Sequence, residues 1–406
     1  MNPALRSGVF HLAIWISACV LSAAGDLPPY RTAIEVHAGS HDRFDQVVEV
    51  DLNFTAWLRA AGGRGPFAPE SLRLRELGAD GKAPDFEVPF QFDPAPHFDA
   101  ARRAEGTLVF LLRGTLPAGG ARRYHLYFGD ARRSYSSVRF DPLVKCEEAG
   151  VYQGDETFRI VTPVATYYYH KHGSGFASMI DRDGHDWISY RPEGGPKGNY
   201  RGIPNIAPAG FHPGPGEGNK PSRIVAQGPL RVRIFSETKD EHWALHWDIY
   251  PWYATMNLLR KGPEPYWILY EGTPGGEFDL RDYWVDSSGR RFEMPPYQGV
   301  QNAWHGDLPD PEWVYFGDAR LDRVLFLLLH EKEPVIDEFW HFGEGGMTVF
   351  GFGRGPKAEG WQRLQRVPAR FTIGFVEDTR FESVRAAVNR ILEPLRLTLG
   401  APERVR

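Results

Sequence analysis

Short runs with strand character follow one another along almost the whole chain, and turn-rich pieces separate them. In the first third, alternating or apolar runs include YRTAIEVHAG, FDQVVEVDLNF and GTLVFLLRG, while Gly- and Pro-rich pieces such as AAGGRGPFAPE lie between such runs. Regular strand spacing with almost no helical periodicity is typical of a β-sandwich or jelly roll. We therefore predict a jelly-roll-like β-sandwich over residues 28–145, and we interpret it as an accessory domain.

The pattern resumes in a second, longer group of strands that begins with ETFRIVTP and continues through MTVFGFGR and RFTIGFVE. One stretch near the C-terminus, FESVRAAVNRILEPL, instead repeats its apolar positions at helical spacing: Val384, Ala387, Val388, Ile391 and Leu392. The sequence therefore predicts an all-β protein with a larger antiparallel β-sandwich over residues 150–400, which we interpret as the catalytic domain, and one C-terminal helix.

The first residues have the pattern of an export signal. MNPALR carries one cation, GVFHLAIWISACVL is apolar, and SAAGD supplies small residues for cleavage. The apolar run is too short and wrongly flanked for a membrane span, and no other apolar stretch is long enough to be one. We predict a signal peptide over residues 1–25 and a secreted or periplasmic protein. As a less favoured alternative, ISAC resembles a lipoprotein box with Cys19 as the lipid-anchored residue.

Composition and net charge limit the kinds of partner that we expect the chain to bind. The chain of 406 residues has a net charge of −5 and an aromatic share of 14%, with 12 Trp and 17 Tyr. This charge gives no basic field for a phosphate backbone, so we expect no nucleic-acid partner. If cleavage follows Ala24, Cys146 is the only cysteine left, and no intramolecular disulfide can form.

One longer phrase carries a family resemblance. ETFRIVTP…GSGFASMIDRDGHDWI resembles the opening of galactose-mutarotase-like β-sandwiches, in which a strand pair leads through a glycine into a D-x-D/N-G turn. The two-domain layout also resembles secreted bacterial proteins that carry the phrases YRGIPN and YEGTPGG. The resemblance implies a β-sandwich fold and a carbohydrate ligand, of the kind found in polysaccharide lyases and glycoside hydrolases. It transfers no catalytic residue to this chain.

The phrase YYYHKHG, residues 167–173, is the first candidate for chemistry. Alternate side chains of a strand share a face, which places Tyr168, His170 and His172 together. Such a face is poor core, because an unpaired buried polar group costs about 1–3 kcal/mol. We interpret it as facing a sugar; the alternative is that one face of the strand is core and the other solvated. No cofactor is expected, although His-x-His can also hold a divalent metal at His170 and His172.

Two further phrases offer polar side chains. GNYRGIPN contains Arg201, whose planar fork suits a carboxylate, and Asn205; FHPG follows with His212. In HWALHWDIYPWY, His246, Asp248 and Tyr250 alternate with an apolar stripe that we predict to be core. The alternatives are an ordinary surface loop for the first phrase and a solvated strand face for the second.

Glu271 ends the apolar strand of YWILYEGTPGG, where a carboxyl can be desolvated and have a raised pKa, or can instead cap the turn. The segments DEFWHFGEGG and GFGR add candidates for the rim of a site. They supply Trp340, His341, Glu344 and Arg354, of which His341 and Arg354 are the rim candidates, with Trp304, His305 and Trp313 as weaker ones.

The favoured function is a polysaccharide lyase that cleaves a uronic-acid-containing glycan by β-elimination. That reaction needs a group that neutralises the sugar carboxylate and a base that takes the C5 proton. The predicted catalytic residues are His170, His172, Tyr169, Arg201, His246 and Glu271. The predicted substrate-binding residues are Tyr168, Lys171, Asn199, Tyr200, Asn205, His212, Asp248, Tyr250, Trp304, His341 and Arg354.

Two alternatives remain open. A glycoside hydrolase would need two carboxyl groups beside the glycosidic bond, for which Asp248 and Glu271 are the predicted pair and Glu344 the reserve. A non-catalytic protein would use the same aromatic side chains only to hold an oligosaccharide or polysaccharide. In all three cases we expect residues from separate strands to converge on one concavity: Tyr168, His170, Arg201, His246 and Glu271.

Overall fold

The computed structural model describes residues 27–78, 80–81, 87–206, 209–299, 303–355 and 363–405. The predicted signal peptide and Cys19 lie outside the described residues. Among those described, no helix combines the length and the hydropathy that a bilayer crossing requires. The predicted all-β class is confirmed, since strands dominate and only two α-helices are found in this part of the chain.

Strands and helices of the described residues have the following bounds in chain order: β1 Tyr30–His37, β2 Arg43–Asn53, α1 Phe54–Ala60, β3 Phe67–Glu76, β4 Phe90–Pro94, β5 Glu105–Leu116, β6 Ala121–Asp130, β7 Lys145–Tyr152, β8 Asp155–Val161, β9 Ala165–His170, β10 Gly175–Asp181, β11 Gly202–Asn205, β12 Arg223–Gln227, β13 Val232–Glu237, β14 Ala244–Ile249, β15 Tyr253–Arg260, β16 Ile268–Gly272, β17 Asp282–Asp286, β18 Arg291–Glu293, β19 Trp304–Gly306, β20 Trp313–Asp318, β21 Val324–Leu329, β22 Asp337–His341, β23 Thr348–Phe352, β24 Ala369–Val376, α2 Phe381–Leu392, β25 Arg396–Leu399 and β26 Glu403–Arg404.

The N-terminal strands form a small sandwich. One sheet has the order β25-β1-β6-β3 with β26 also paired to β1, and the other has the order β2-β5-β4. Their facing sides bury an apolar core that includes Ile34, Leu108 and Phe110. The last strands of the chain therefore return to this sandwich, with Leu399 opposite Ile34, which the sequence did not indicate. The short helix α1, capped by the Asn53 side chain, was also not predicted.

The large sandwich contains two nine-stranded antiparallel sheets. The first sheet has the order β19-β22-β23-β16-β11-β10-β9-β8-β7, and the second has the order β12-β13-β14-β15-β24-β21-β20-β17-β18. Side chains of both sheets pack in one core, with Tyr169 and Tyr270 from the first sheet and Trp247 from the second. The apolar stripe predicted in HWALHWDIYPWY is confirmed as core: Trp243, Leu245, Trp247 and Ile249 are all buried.

The predicted C-terminal helix is confirmed as α2, which covers the outer face of the second sheet. Its buried residues Val384 and Val388 pack with Trp313 and Phe326. Trp313, a weak sugar-rim candidate from the sequence, is therefore part of the contact between helix and sheet, and its ring lies 5.5 Å from that of Phe381.

A buried charge network joins the two sandwiches. Arg231 of the large sandwich is 1% exposed, and its Nη2 lies 2.5 Å from Asp93 Oδ2 of the small one. Its Nη1 donates to Glu49 at 2.6 Å, and its Nε lies 3.7 Å from Asp248 Oδ1. Tyr250 also donates to Glu49, at 2.8 Å. One guanidinium thus compensates the buried carboxylates of Asp93 and Asp248 and the more exposed carboxylate of Glu49.

Asp248 shows what this pairing does to a buried acid. Burial works against its charged form, but hydrogen bonds from His246 and Arg233 and the charge of Arg231 outweigh burial and lower the pKa of Asp248 to about 2. Arg233 binds it through two hydrogen bonds, of 2.6 and 2.9 Å. Because the folded-state pKa is depressed, this stabilisation is present above pH 4 and is lost as the pH falls toward about 2.

We expect Arg231→Ala to lower the free energy of unfolding by about 3–5 kcal/mol, because it leaves buried carboxylates without their cation. Urea unfolding followed by tryptophan fluorescence measures this change. The matched control is Arg281→Ala, which removes an exposed arginine paired with Asp279 and should leave the free energy of unfolding almost unchanged. Equal losses in the two variants would contradict the network's structural role.

Candidate functional site

The outer face of the first sheet carries the group of polar side chains that we take as the candidate site. Along β16, Tyr270 points into the core, so its neighbour Glu271 points outward. Strand pairing sets Glu271 opposite Gly202 of β11 on one side and opposite Val349 of β23 on the other. Val349 in turn pairs with Trp340 of β22. One row across four strands therefore runs from Trp340 to Gly202.

Glu271 is the most unusual group in this row. It is 5% exposed, and Asn205 Nδ2 donates to its Oε2 at 2.8 Å. Burial raises the pKa of Glu271 to about 7, while the Asn205 hydrogen bond and the charge of Arg354 oppose the rise only in part. The carboxyl group is therefore about half protonated near neutral pH, which is the condition a general acid or base requires.

His212 lies over Gly202, beside Glu271. A Cβ atom on Gly202 would come within 2.4 Å of Pro213 Cδ and 3.2 Å of His212 Nε2, so the close approach of this loop requires glycine. His212 Nε2 lies 3.8 Å from Glu271 Oε2. The two residues thus form a carboxyl–imidazole pair that lies on the sheet.

The ring of His212 contacts two carbonyl groups. Nδ1 lies 2.7 Å from Pro213 O, and Nε2 lies 2.7 Å from Tyr200 O. Burial lowers the pKa of His212, and a neutral ring can donate to only one of these oxygens. A ring that took up a second proton would donate to both oxygens at once. The surroundings of His212 therefore provide an acceptor for each ring N–H if the ring takes up a proton.

Arg354 lies on the same outer face. The space over Gly351 is filled by Arg354, whose Cβ would be 2.9 Å from a Cβ placed on that glycine. Arg354 Nε lies 3.0 Å from Glu338 Oε2, and the guanidinium is 5.8 Å from the ring of Trp340. Within the described ranges, Arg354 Nη1 and Trp340 Nε1 have no hydrogen-bond partner. Buried donors of this kind pair with a ligand or with water in native proteins.

His170 is close to this group but is arranged differently from the prediction. It is 0% exposed, and Gly214 N donates to its Nδ1 at 2.9 Å. Desolvation lowers the pKa of His170 to about 4, so the ring is neutral at physiological pH. With Nδ1 accepting, the proton must be on Nε2, and no lone pair remains to take a proton from a substrate. The prediction of a catalytic base at His170 is therefore wrong.

The rest of YYYHKHG also differs from expectation. Tyr169 is in the core, and its hydroxyl bonds to Ser236 at 2.7 Å, so it cannot reach a substrate. The strand ends at His170, and His172 instead places Nδ1 2.6 Å from Asp155 Oδ1. Lys171 pairs with Glu148. His170 and His172 therefore do not share a strand face, and the metal site predicted at these two residues is not formed.

Tyr168 is half-buried on the outer face, where it stacks on Tyr152 with ring centroids 4.0 Å apart. It shares the face of His170, as the strand alternation predicts.

Arg201 is not available to a sugar carboxylate. It is 2% exposed and donates to the backbone carbonyl groups of Ser189, at 3.2 Å, and Gly346, at 2.9 Å. Burial, then the charge of Arg191, lower its pKa to about 10. The carboxylate-binding role predicted for Arg201 therefore does not fit its surroundings, because its guanidinium joins the loops that carry Ser189 and Gly346.

Another set of candidates lies on the second sheet, away from Glu271. His246, Asp248 and Tyr250 face the small sandwich, where His246 Nε2 lies 3.1 Å from Asp248 Oδ2 and Tyr250 bonds to Glu49. His246 is thus not part of the expected convergence with Glu271, and Asp248 and Tyr250, which were predicted to bind substrate, lie beside it. They lie on the second sheet, away from the outer face of the first, and the hydrolase pair of Asp248 with Glu271 is excluded by that geometry.

The remaining candidates lie around the site or serve packing. Asn199 and Tyr200 are exposed in the 3₁₀ turn Gly198–Tyr200, whose last carbonyl contacts His212. His341 accepts from Gly343 N at 3.0 Å and lies 2.8 Å from Pro295 O. Trp304 packs on Trp284, with ring centroids 5.1 Å apart. Glu344 is exposed on the loop between β22 and β23.

Glu338 is a residue that the sequence reasoning missed. It contacts Arg354, and His305 Nδ1 lies 3.9 Å from its other oxygen. The signal was present in the strand EFWH, where alternation puts Glu338 and Trp340 on one face and leaves Phe339 in the core.

The fold has known structural neighbours at low similarity. They include a galactose mutarotase related enzyme from Lactobacillus acidophilus (8% identity, TM-score 0.38, 54% of this chain and 97% of that one). A candidate mutarotase from Salmonella typhimurium shows 11% identity and a TM-score of 0.36, over 59% and 96% of the two chains. A candidate aldose 1-epimerase from Escherichia coli K12 shows 10% identity and a TM-score of 0.34, over 54% and 98%.

These neighbours are galactose-mutarotase-like proteins, as the sequence resemblance implied, but TM-scores this low carry no argument about activity. No protein-family model matches the chain. No curated protein matches it either.

The raised pKa of Glu271 predicts a pH-dependent stability. The unfolded carboxyl ionises near 4.5 and the folded one near 7, so the folded state binds more protons between these values and stability falls as the pH rises through them. We expect Glu271→Gln to remove a destabilisation that reaches about 3 kcal/mol above pH 7 and vanishes below pH 4.5.

Urea unfolding of wild type and variant at several pH values between 4 and 8 measures this difference directly, because the other titrating groups are common to both proteins. A gap between the two proteins that does not change with pH would show that Glu271 titrates as an ordinary exposed carboxyl.

Proposed function

We propose that this chain is an exported carbohydrate-active enzyme, a polysaccharide lyase that cleaves a uronic-acid-containing glycan by β-elimination on the outer face of the first sheet. The observation that carries the proposal is the buried carboxyl of Glu271, with a pKa of about 7, on the same sheet face as the Arg354 guanidinium. The exported location is part of the proposal and rests on the signal-like first residues.

Elimination first requires the sugar carboxylate to be held and neutralised. Arg354 is suited to this, since a guanidinium fork matches a carboxylate and Nη1 has no protein partner among the described residues. Its present contact with Glu338 at 3.0 Å would be shared with the substrate. In this proposal, Arg354 takes the part that the sequence assigned to Arg201.

Aromatic rings near Glu271 offer flat faces on which a sugar can stack. Trp340 is half-buried in the row beside Glu271, and Tyr200 is 51% exposed at the mouth of the loop that carries His212. Aromatic rings stack on the apolar C–H faces of sugars, while amide and imidazole groups reach the hydroxyls. The Asn205 amide, which donates to Glu271, is suited to contact a hydroxyl, whereas both ring nitrogens of His212 already face backbone carbonyl groups.

The chemical step balances with Glu271 as base. Its ionised carboxylate takes the C5 proton, the electron pair of that C–H bond forms the C4=C5 double bond, and the C4–O bond breaks. The leaving oxygen departs with the bonding pair and takes a proton from water. Arg354 stabilises the negative charge that develops on the carboxylate as C5 loses its proton. His212, 3.8 Å from Glu271, can relay the captured proton away.

A glycoside hydrolase is the second candidate, favoured by one observation. Glu338 lies on the same outer face as Glu271, and burial raises its pKa also. Protonated Glu271 would then donate to the glycosidic oxygen while Glu338 supplied the second carboxyl group. This pair replaces the excluded pair of Asp248 and Glu271.

The test is product analysis on a panel of acidic and neutral polysaccharides. We expect wild type to release oligosaccharides with an ultraviolet-absorbing unsaturated uronate end, and Glu271→Gln to lower kcat by about 100-fold or more. Arg354→Ala should raise KM for acidic substrates and also lower kcat, because the guanidinium both holds the carboxylate and stabilises the charge that develops on it. Glu277→Gln, which removes an exposed carboxyl just after the 3₁₀ turn Pro274–Gly276 that follows β16, is the matched control and should keep full activity.

Each other outcome separates the alternatives. Reducing ends without the chromophore, again dependent on Glu271, would replace the lyase by the hydrolase. Glycan binding that Arg354→Ala weakens, without any cleavage, would indicate the non-catalytic protein. Full activity in Glu271→Gln would place the reaction elsewhere.

A further inference from the structure

A group of acidic side chains lies between the two sheets at one end of the large sandwich. Glu312 directly precedes β20 of the second sheet, Glu333 follows β21 of the same sheet, and Asp337 begins β22 of the first sheet. One carboxylate oxygen from each of the three lies within 4.8 Å of the others. Glu333 and Asp337 belong to one connection, from β21 to the start of β22, and the fold brings Glu312 to them from the start of β20.

The spacing fits one hard cation. Oxygen ligands bind Ca²⁺ at roughly 2.3–2.6 Å, so two oxygens on opposite sides of one ion are about 4.8 Å apart. Mg²⁺ demands near-ideal octahedral geometry at about 2.1 Å and usually keeps several waters, so a site made of protein carboxylates suits it less well than Ca²⁺. The donor set contains only carboxylates, which suit Ca²⁺, whereas zinc and copper are more often bound by imidazole or thiolate groups.

The hydrogen bonding of Glu312 is an independent observation. This residue is 2% exposed, yet neither of its carboxylate oxygens makes a hydrogen bond of normal geometry to the described residues; only the backbone N–H of Glu333 lies near enough to lower its pKa slightly. Glu333 Oε1 is likewise without a partner there. A buried carboxylate that accepts no hydrogen bond costs several kcal/mol unless a cation or a proton compensates it.

No described cation fills that place. None of the three acids forms an ion pair with an arginine, lysine or histidine in the described part of the chain, and the nearby Lys332 is exposed and pairs with Asp310. Asp337 differs from Glu312 because its oxygens accept from Gly353 N at 2.9 Å and Leu308 N at 3.3 Å. Backbone contacts thus fix Asp337. Glu312 and Glu333 lie beside it, and both oxygens of Glu312 and Oε1 of Glu333 have no hydrogen-bond partner among the described residues.

We propose that Glu312, Glu333 and Asp337 form a Ca²⁺ site that ties the second sheet to the first at this end of the sandwich. The ion would complete its coordination with water and with a backbone or side-chain oxygen. Its position also concerns the candidate site, because Asp337 directly precedes Glu338, the partner of Arg354. This proposal stands whether or not the lyase proposal holds.

Protonation is the competing explanation. Burial, then the charges of neighbouring carboxylates, raise the pKa of Glu312 to about 9, and burial raises that of Glu333 to about 7. Without an ion, the acids would therefore hold protons, and Asp307 nearby adds to the effect. Binding of Ca²⁺ must then release protons, which gives the experiment a second readout.

The test uses the purified protein, stripped with a chelator and titrated with Ca²⁺ by calorimetry in two buffers of different ionisation enthalpy. We expect one Ca²⁺ per chain, release of protons, binding at least ~10-fold weaker for Mg²⁺, and a Tm raised by at least about 3 °C at saturating Ca²⁺. Glu312→Gln, which keeps the shape and removes the charge, should weaken Ca²⁺ binding at least ~10-fold.

A second variant and a control keep the result decisive. Glu333→Gln changes a half-buried residue and should weaken binding likewise, even if Glu312→Gln folds poorly. Glu344→Gln, outside the cluster, should bind Ca²⁺ as wild type does. Failure of the stripped wild type to bind Ca²⁺, or equal affinity in Glu333→Gln and wild type, would overturn the site in favour of protonated acids.

Discussion

Removal of carboxyl groups from water, and what compensates it, is the physical constraint on which this structure depends. Strand alternation gives each large sheet one face for the shared core, and the polar residues of the first sheet must go to its outer face. There, loops cover them, so Glu271 is desolvated with only an amide hydrogen bond and a more distant arginine to offset burial. Its pKa rises, and the group becomes able to exchange a proton near neutral pH.

Three buried acidic sites in the same chain show three results of this constraint. Asp248 meets Arg231 and Arg233 directly, keeps its charge and joins the two sandwiches. Glu271 lacks such a contact and is half protonated, which is useful for chemistry and unfavourable for stability. The cluster around Glu312 has neither a cationic side chain nor, at Glu312 itself, a hydrogen bond of normal geometry among the described residues, and it is suited to a metal ion.

Much of the fold follows from local patterns, whereas the site depends on long-range contacts. Period-two alternation correctly put Tyr168 and His170 on one face and identified the core stripe that contains Trp247, and helical spacing identified α2. Alternation cannot say which sheet a strand joins or what covers its outer face. His246 therefore looked like a neighbour of Glu271, although the small sandwich covers it. Arg201 looked like a carboxylate receptor, although backbone carbonyls from residues 189 and 346 surround it.

The central claim is that burial holds Glu271 protonated well above the usual range of a carboxyl group, and its most direct test is the titration of that group alone. Carboxyl ¹³C shifts of protein labelled in glutamate, followed from pH 3 to pH 9 and assigned by the resonance missing in Glu271→Gln, give this pKa. The account predicts a midpoint near 7. A midpoint near 4.5 would mean that solvent reaches the carboxyl group freely, and it would contradict a proton-transfer role for Glu271.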